Sequence, residues 1–406
     1  MSHSAPKLHG GHGLQLLEGT REFFPSLIAA MDGAQREIHF ETYIFDFTGT
    51  GATVAEALER AGRRGVRTCV AVDGLGSGMP PAPWAQRLQD AGVQWRVYSP
   101  VNALALLLPT RWRRLHRKLC VVDAQVAFCG GVNVLDDFHD PAYGTLEAPR
   151  LDFAVRITGP LVADIQDTVA QLWRRLQAVH DLRRHEVQHA VLTLLDDGDE
   201  GNAAIGVERS PDRTRRARAG LVLRDNLRSR KSIERAYLKA IGAARSDIVI
   251  ANAYFIPGRK LCNALVLAAK RGVRVRLLLQ GRYEYFMQYH ASRPVYGMLL
   301  DAGIEIHEYA PSFLHAKVAV IDGHWATVGS SNLDPLSLLL AREANVVIED
   351  AAFAHLLSER LQLAMRTEGQ RMETGRHGKR PRLQRCKEYL AMLVVRLALL
   401  VSGKNY

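Results

Sequence analysis

The sequence predicts an α/β protein made of two homologous halves, and three observations carry that prediction. Short apolar runs rich in β-branched residues alternate with stretches of helical spacing that end at glycine. Whole stretches recur: AQREIHFETYIF at 34–45 returns as ARSDIVIANAYF at 244–255, RRGVR at 63–67 as KRGVR at 270–274, and LQDAGVQWRVYSP at 88–100 as LLDAGIEIHEYAP at 299–311, at offsets of 210, 207 and 211. Finally, LHRKLCVVDAQVAFCGGVN at 115–133 and LHAKVAVIDGHWATVGSSN at 314–332 obey one rule: His, any, Lys, four residues, Asp, six residues, Gly, Gly or Ser, any, Asn.

In the first half, 23–34 reads as a helix, 37–45 (EIHFETYIF) as a strand, 51–64 as a helix stopped by Gly65, and 66–72 as a strand. A helix over 84–91 and a strand to Tyr98 follow. The second half repeats the order after a helix over 232–244. At 406 residues and 47% hydrophobic content the chain can build two sizeable cores. The expected division is a flexible N-terminus (1–13), a first domain (14–180), a linker (181–218), a second domain (219–365) and a basic, apolar tail (366–406). The linker is placed where LLDDGDEGNAA and SPDRTRRARAG break the pattern.

Each motif reads as a β-hairpin. Val318 to Ile321 is apolar, Asp322-Gly323 marks a two-residue turn, and Trp325 to Val328 returns. Residues i and i+2 of a strand share a face, so His315 and Lys317 project together at the strand start, as do His116 and Lys118. Gly329-Ser330 and Gly130-Gly131 let backbone approach a ligand, and their N–H groups with Asn332 and Asn133 suit phosphate oxygens. Gly131 stands where the other copy has the Ser330 hydroxyl, which leaves backbone donors to do more in the first copy. One set binds an anion. Two sets face to face supply a nucleophilic imidazole, a protonated one for the leaving oxygen, and two lysines for the equatorial charge. No metal or other cofactor is needed in that scheme. Asp123 and Asp322 complete the motifs and sit at the turns, where holding the hairpin is their expected part.

These residues resemble the duplicated HKD motif of the phospholipase D superfamily and, within it, the bacterial cardiolipin synthases. IANAYFIPG at 250–258, HWATVGSSNLDPLSL at 324–338 and EANVVI at 343–348 carry the closer resemblance, which runs from about Leu14 to about Met365. It implies two phospholipase D-like domains packed face to face about a pseudo-two-fold axis, with mixed sheets flanked by helices. It implies catalytic roles for His116, Lys118, Asp123, His315, Lys317 and Asp322, and phosphate binding by Asn133, Asn332, Gly131 and Ser330. It further implies a carboxylate downstream of each motif that orients its histidine, which puts Asp152 in the first half and Glu343 in the second. The implied reaction is phosphatidyl transfer between two phosphatidylglycerol molecules through a phosphohistidine, giving cardiolipin and glycerol. His116 is assigned as nucleophile and His315 as acid-base partner, although the near-symmetric sequence allows the reverse. Plain phospholipase D hydrolysis and a nuclease of the same superfamily stay open as alternatives.

The charge calls for an anionic partner, and the apolar runs beside it favour lipid. The formal net charge is +11, and the last 41 residues hold ten Lys or Arg against three Glu. A basic tail calls for a polyanion, either anionic lipid or nucleic acid. Few aromatics interleave with the cations, so stacking platforms for nucleic acid are not evident. The first half carries twelve extra residues before its motif histidine, in VNALALLLPTRWRRL at 101–115. That run is apolar and then cationic, which suits acyl chains beside a phosphate. YLAMLVVRLALLV at 389–401 is too short to span a bilayer and suits either the interface or a terminal packed helix. The expected partners are therefore phosphatidylglycerol, cardiolipin and the membrane surface, with no nucleic acid; the sequence leaves the oligomeric state open. Peripheral association with the cytoplasmic side of the inner membrane is expected. The N-terminal MSHSAPKLHGGHG lacks an apolar segment and reads as a polar lead-in, not a signal peptide or metal site. The five scattered cysteines read as reduced and mostly buried.

Overall fold

The structure is a computed structural model that describes residues 7–100, 113–183, 217–224, 229, 231–282, 286–334, 341–373, 384 and 387–394. The α/β class and the duplication are both present. The chain divides into two compact units, one from His9–Asp136 and Ala154–Leu221, the other from Met1–Leu8, Asp137–Phe153 and Val222–Tyr406. The boundary therefore departs from the sequence repeat: the segment Asp137–Phe153 lies in the first half of the chain but belongs to the second unit.

In the first unit the sheet runs Gln94–Tyr98, Arg67–Asp73, Glu37–Thr42, Lys118–Val122, Val126–Gly130, Phe153–Thr158, His9–Glu18. In the second it runs Glu305–Tyr309, Arg274–Gln280, Asp247–Asn252, Lys317–Ile321, Trp325–Gly329, Ala341–Glu349, with Gly369–Arg371 added outside Glu305–Tyr309. Each sheet is mixed. The strands joined through helices pair in parallel, and the motif hairpin pairs antiparallel with its neighbours. A parallel pair needs a crossover, and the helices Gly49–Arg63 and Arg259–Lys270 are those crossovers. Each is followed by an Arg cap (Arg64, Arg271) and then a glycine at positive φ (Gly65 at +83°, Gly272 at +90°), a conformation that stops a helix without a Cβ clash.

Each sheet is covered on both faces. In the first unit Phe23, Leu27 and Met31 of helix Gly19–Gly33 and Val54 and Leu58 of the crossover helix pack on Ile38, Phe40, Val70 and Val122. Leu172 and Trp173 of helix Leu161–Arg183 close on Cys69, Ala71 and Leu115. In the second unit Tyr237, Ile241, Leu265 and Leu299 pack on Ile248, Ile250, Leu277 and Ala319. Helix Ala351–Thr367 packs along the same sheet, its first turn capped by the Asp350 carboxylate, which accepts the Phe353 N–H at 2.8 Å. Cys69, Cys120, Cys129 and Cys262 are buried thiols, as expected; Cys386 lies outside the described residues.

The motif hairpins are one residue longer at the turn than predicted. Ile321 pairs with Trp325 and Val122 with Val126, so three residues connect the strands in each copy. Asp322 and Gly323 both have positive φ, as do Asp123 and Ala124. A side chain there is strained, and the aspartate offsets that cost by bonding outward. Asp322 accepts N–H groups of Arg245, Ser246 and Asp247 at 2.9, 2.8 and 3.0 Å and the Ser246 hydroxyl at 2.8 Å. Asp123 does the same with Gln35, Arg36 and Glu37 at 2.8, 2.9 and 2.9 Å. Each carboxylate thus gathers the donors that open the adjacent strand.

Burial pushes the Asp322 carboxyl up, but the N–H donors of Asp247, Ser246 and Arg245 and the Ser246 hydroxyl outweigh it, and its pKa lies below the ordinary aspartate value. A lowered folded pKa stabilises the fold above the unfolded value, and that contribution is lost as pH falls through the folded one. Asp322→Ala should cost about 1–2 kcal/mol at neutral pH, and urea melts should show the gap closing below roughly pH 4. An undiminished gap in acid would mean that the charge is not its source.

Candidate active site

Each unit carries one motif, and each motif builds a half-site at the end of its hairpin opposite the aspartate. In the second unit the strand Lys317–Ile321 is buried along its length and lies in register with Asp247–Asn252, with Lys317 opposite Asn252. Lys317 is fully buried, and its ammonium donates to the His315 carbonyl. Gly329 has no room for a side chain: a Cβ would sit 2.3 Å from the Asn345 amide and 2.5 Å from the Ala344 carbonyl.

His315 is oriented, though by the carboxylate predicted for the other histidine. Asp152 Oδ2 lies 2.6 Å from His315 Nδ1, and Asp152 is buried. The second Asp152 oxygen accepts its neighbour Phe153 N–H at 2.8 Å, which fixes the carboxylate plane. The chain brings the two together through backbone. Leu151 N–H donates to the Phe313 carbonyl at 3.0 Å, and His315 N–H donates to the Leu151 carbonyl at 2.9 Å. The expectation that each carboxylate serves the histidine of its own repeat is corrected for Asp152, because Asp137–Phe153 belongs to the second unit. An acceptor at Nδ1 makes that nitrogen the protonated one and leaves Nε2 as the reactive atom.

Glu343, expected to orient His315, meets the glycine-serine corner of its own motif. It is fully buried, accepts the Ser330 hydroxyl, and lies 3.7 Å from the Arg224 guanidinium, itself buried. Ser330 Oγ also accepts the Ala344 N–H at 3.1 Å, and Arg224 donates to the Ser331 hydroxyl at 3.1 Å. The Ser330 hydroxyl, read as a phosphate contact, is therefore engaged with Glu343, and the corner is braced by a buried ion pair. Asn332 differs. Its residue is 2% exposed and its amide oxygen has no hydrogen-bond partner among the described residues. Beside it, Asn252 accepts the Leu333 N–H at 3.1 Å while its own Nδ2 is buried without a partner. Buried polar groups left unpaired are rare, and of these two atoms the Asn252 Nδ2 donor is the one that suits a phosphate oxygen.

In the first unit Lys118 is buried and donates to the His116 carbonyl at 2.7 Å. The Tyr43 ring flanks the site, with its centroid 4.9 Å from that of His116 and 5.4 Å from the Lys118 ammonium. Gly131 is buried, and Asn133 Oδ1 accepts the Ile44 N–H at 3.2 Å, so the two asparagines are not equivalent. Leu115, next to the histidine, donates its N–H to the buried Asp73 carboxylate at 2.7 Å; the corresponding Leu314 donates to Gln280 at 3.2 Å.

Asp123 and Asp322 are not brought to the histidines. Seven residues of mostly extended chain, about 20 Å, separate each from its motif histidine, and their carboxylates are occupied by backbone. Sequence reading did not single out Arg224, Asn252, Tyr43 or Asp73. Asn252 was within reach, since it lies in the IANAYFIPG stretch at the place aligned with Thr42. The apolar-cationic run at 101–112, most of the expected linker (184–216) and residues 395–401 lie outside the described residues.

Removing one member of a buried ion pair costs about 3 kcal/mol or more. Arg224→Met should lower stability by that order in denaturant melts, and adding Glu343→Gln should recover part of the loss. Strict additivity would show that the two do not interact.

The site can be set beside known proteins. A family model described as "Cardiolipin synthase, PLD-like domain" matches residues 27–139 and 237–364. Cardiolipin synthase B of Salmonella typhi is 39% identical over 353 residues, 87% of this chain and 80% of that protein. Cardiolipin synthase B of Escherichia coli (strain K12) is 40% identical over 352 residues, 86% of this chain and 80% of that protein. Among solved structures, a phosphatidylserine synthase from Haemophilus influenzae Rd KW20 aligns over 96% of this chain and 93% of its own with a TM-score of 0.64 at 14% identity, a likeness of fold. The matched residues take in both motif histidines and the whole of each hairpin. The chain belongs to the cardiolipin synthase family of phospholipase D-like proteins.

Proposed function

We propose that this chain is a phosphatidyltransferase that makes cardiolipin and glycerol from two molecules of phosphatidylglycerol. The family membership supports the reaction class. The observation that carries the mechanism is the Asp152–His315 pair, a buried carboxylate 2.6 Å from an imidazole beside a buried lysine. Such a carboxylate stabilises the imidazolium, which fits His315 as the proton donor and acceptor. His116 then serves as nucleophile. Its ring nitrogen bonds to phosphorus as the bond to the head-group glycerol breaks, and His315 protonates the departing oxygen. A phosphatidyl-histidine remains. The hydroxyl of a second phosphatidylglycerol gives its proton to His315 and attacks phosphorus, the P–N bond breaks, and cardiolipin leaves. Lys118 and Lys317 stabilise the charge on the non-bridging oxygens, with Asn133, Asn332 and the Gly131 backbone as further donors. Ser330 acts through Glu343, and Asp123 and Asp322 act by holding the hairpins. The substrates are anionic lipids, and no described helix is long and apolar enough to cross a membrane. The proposal therefore includes peripheral work at the cytoplasmic face of the inner membrane.

Purified protein incubated with phosphatidylglycerol vesicles should yield cardiolipin and glycerol by mass spectrometry. His116→Ala and His315→Ala should each abolish the product. Phosphatidic acid alone would make the enzyme a hydrolase, and no lipid product at all would sink the reading. Asp152→Asn should keep the melting temperature within a few degrees and lower turnover roughly 10²- to 10⁴-fold, by analogy with loss of the orienting carboxylate in a catalytic triad. A normal rate in that variant would remove Asp152 from the mechanism.

A further inference from the structure

The helical residues 387–394 bury the wrong face for a surface helix. An ordinary amphipathic helix hides its apolar stripe and shows its polar one. Here Glu388 and Ala391, one turn apart, are the buried residues at 1% and 2% exposure. Ala391 packs on Ile256 and Ala291 with Met392 beside it, and Glu388 accepts from Gln384 at 3.3 Å. The side turned to solvent carries Tyr389, Leu390, Leu393 and Val394, between 46% and 62% exposed. Four large apolar side chains on two turns form a patch rather than scattered exposure.

The position of the patch ties it to the half-site. Ile256 donates its N–H to the Leu333 carbonyl at 2.9 Å, and Phe255 bridges Leu333. Leu333 follows Asn332, whose buried amide oxygen has no partner among the described residues. The helix is thus anchored on the loop that holds the phosphate-binding end of the second unit. Its chemical neighbourhood identifies the occupant. Lys387 is exposed at the helix start, and the sequence from 376 to 387 holds six Lys or Arg and no acidic residue. An apolar face next in sequence to a dense cationic segment matches the acyl boundary and anionic headgroups of a bilayer.

We infer that Tyr389, Leu390, Leu393 and Val394 are the surface on which this protein docks on an anionic membrane, with the active-site end of the second unit turned toward its lipid. The inference deepens the proposed reaction and rests on it for the orientation, while binding itself is independently measurable. Docking by this face sets the half-site at headgroup depth, so the substrate phosphate reaches His315 without the lipid leaving its leaflet.

The test is co-sedimentation of the full chain with vesicles of phosphatidylcholine and phosphatidylglycerol, comparing the wild type with Leu390→Ser/Leu393→Ser. Both positions are exposed, and an unchanged melting temperature shows that the fold is kept. The partition coefficient should fall roughly tenfold or more in the double variant, while transfer in detergent mixed micelles stays at the wild-type rate. Unchanged vesicle binding overturns the inference. So does a switch from dimer to monomer with no loss of binding, which assigns the face to a second copy of the chain. Equal wild-type binding to pure phosphatidylcholine overturns the anionic assignment. Failure of the wild type to make cardiolipin in micelles counts against the reaction instead, and leaves the binding result standing.

Discussion

Where the motif histidine sits is decided about 20 Å away, at the other end of its hairpin. The turn aspartate binds the N–H groups that open the neighbouring strand, and that contact sets the register in which Ile321 faces Ile248 and Lys317 faces Asn252. A slip of one residue would send every side chain of the strand to the opposite face. It would put the lysine where the core is and break the approach of the glycine corner to Asn345. The turn aspartate thus acts on the register of the strand that carries the motif lysine.

Much of this was legible in the sequence, because repeats and period-2 patterns are local. The strands at Glu37–Thr42 and Asp247–Asn252 and the crossover helix Gly49–Arg63 lie where spacing put them, while the motif strands begin at the lysine and leave each histidine just outside. The turn was misjudged by one residue, since Asp-Gly favours a two-residue loop and nothing local announces the extra His324. The partners of the carboxylates were not legible at all. Asp152 meets His315 across 163 residues of chain, and a local pattern carries no information about which unit a segment joins. Arg224 escaped notice because a buried arginine reads in sequence like any surface cation. Its role is set by Glu343 and Ser331, more than a hundred residues away.

The two half-sites share a plan but differ in detail. The asparagine of the first is tied to Ile44, and the oxygen of the second has no partner among the described residues. The first has an aromatic wall at Tyr43, and the second has a serine corner locked onto a buried glutamate. The duplication therefore kept the hairpin frame of each copy while the side chains around it diverged.

The placement of Asp137–Phe153 bears on how such a protein can be taken apart. By sequence the chain looks like two modules joined by a linker, each with its own motif. By contacts the second module is incomplete without seventeen residues that precede the linker. A fragment cut at the repeat boundary would keep His315 and lose the carboxylate that defines its tautomer. The compact unit and the repeat unit are therefore different objects, and domain shuffling that respects the repeat would deliver the second motif without the carboxylate that meets its imidazole.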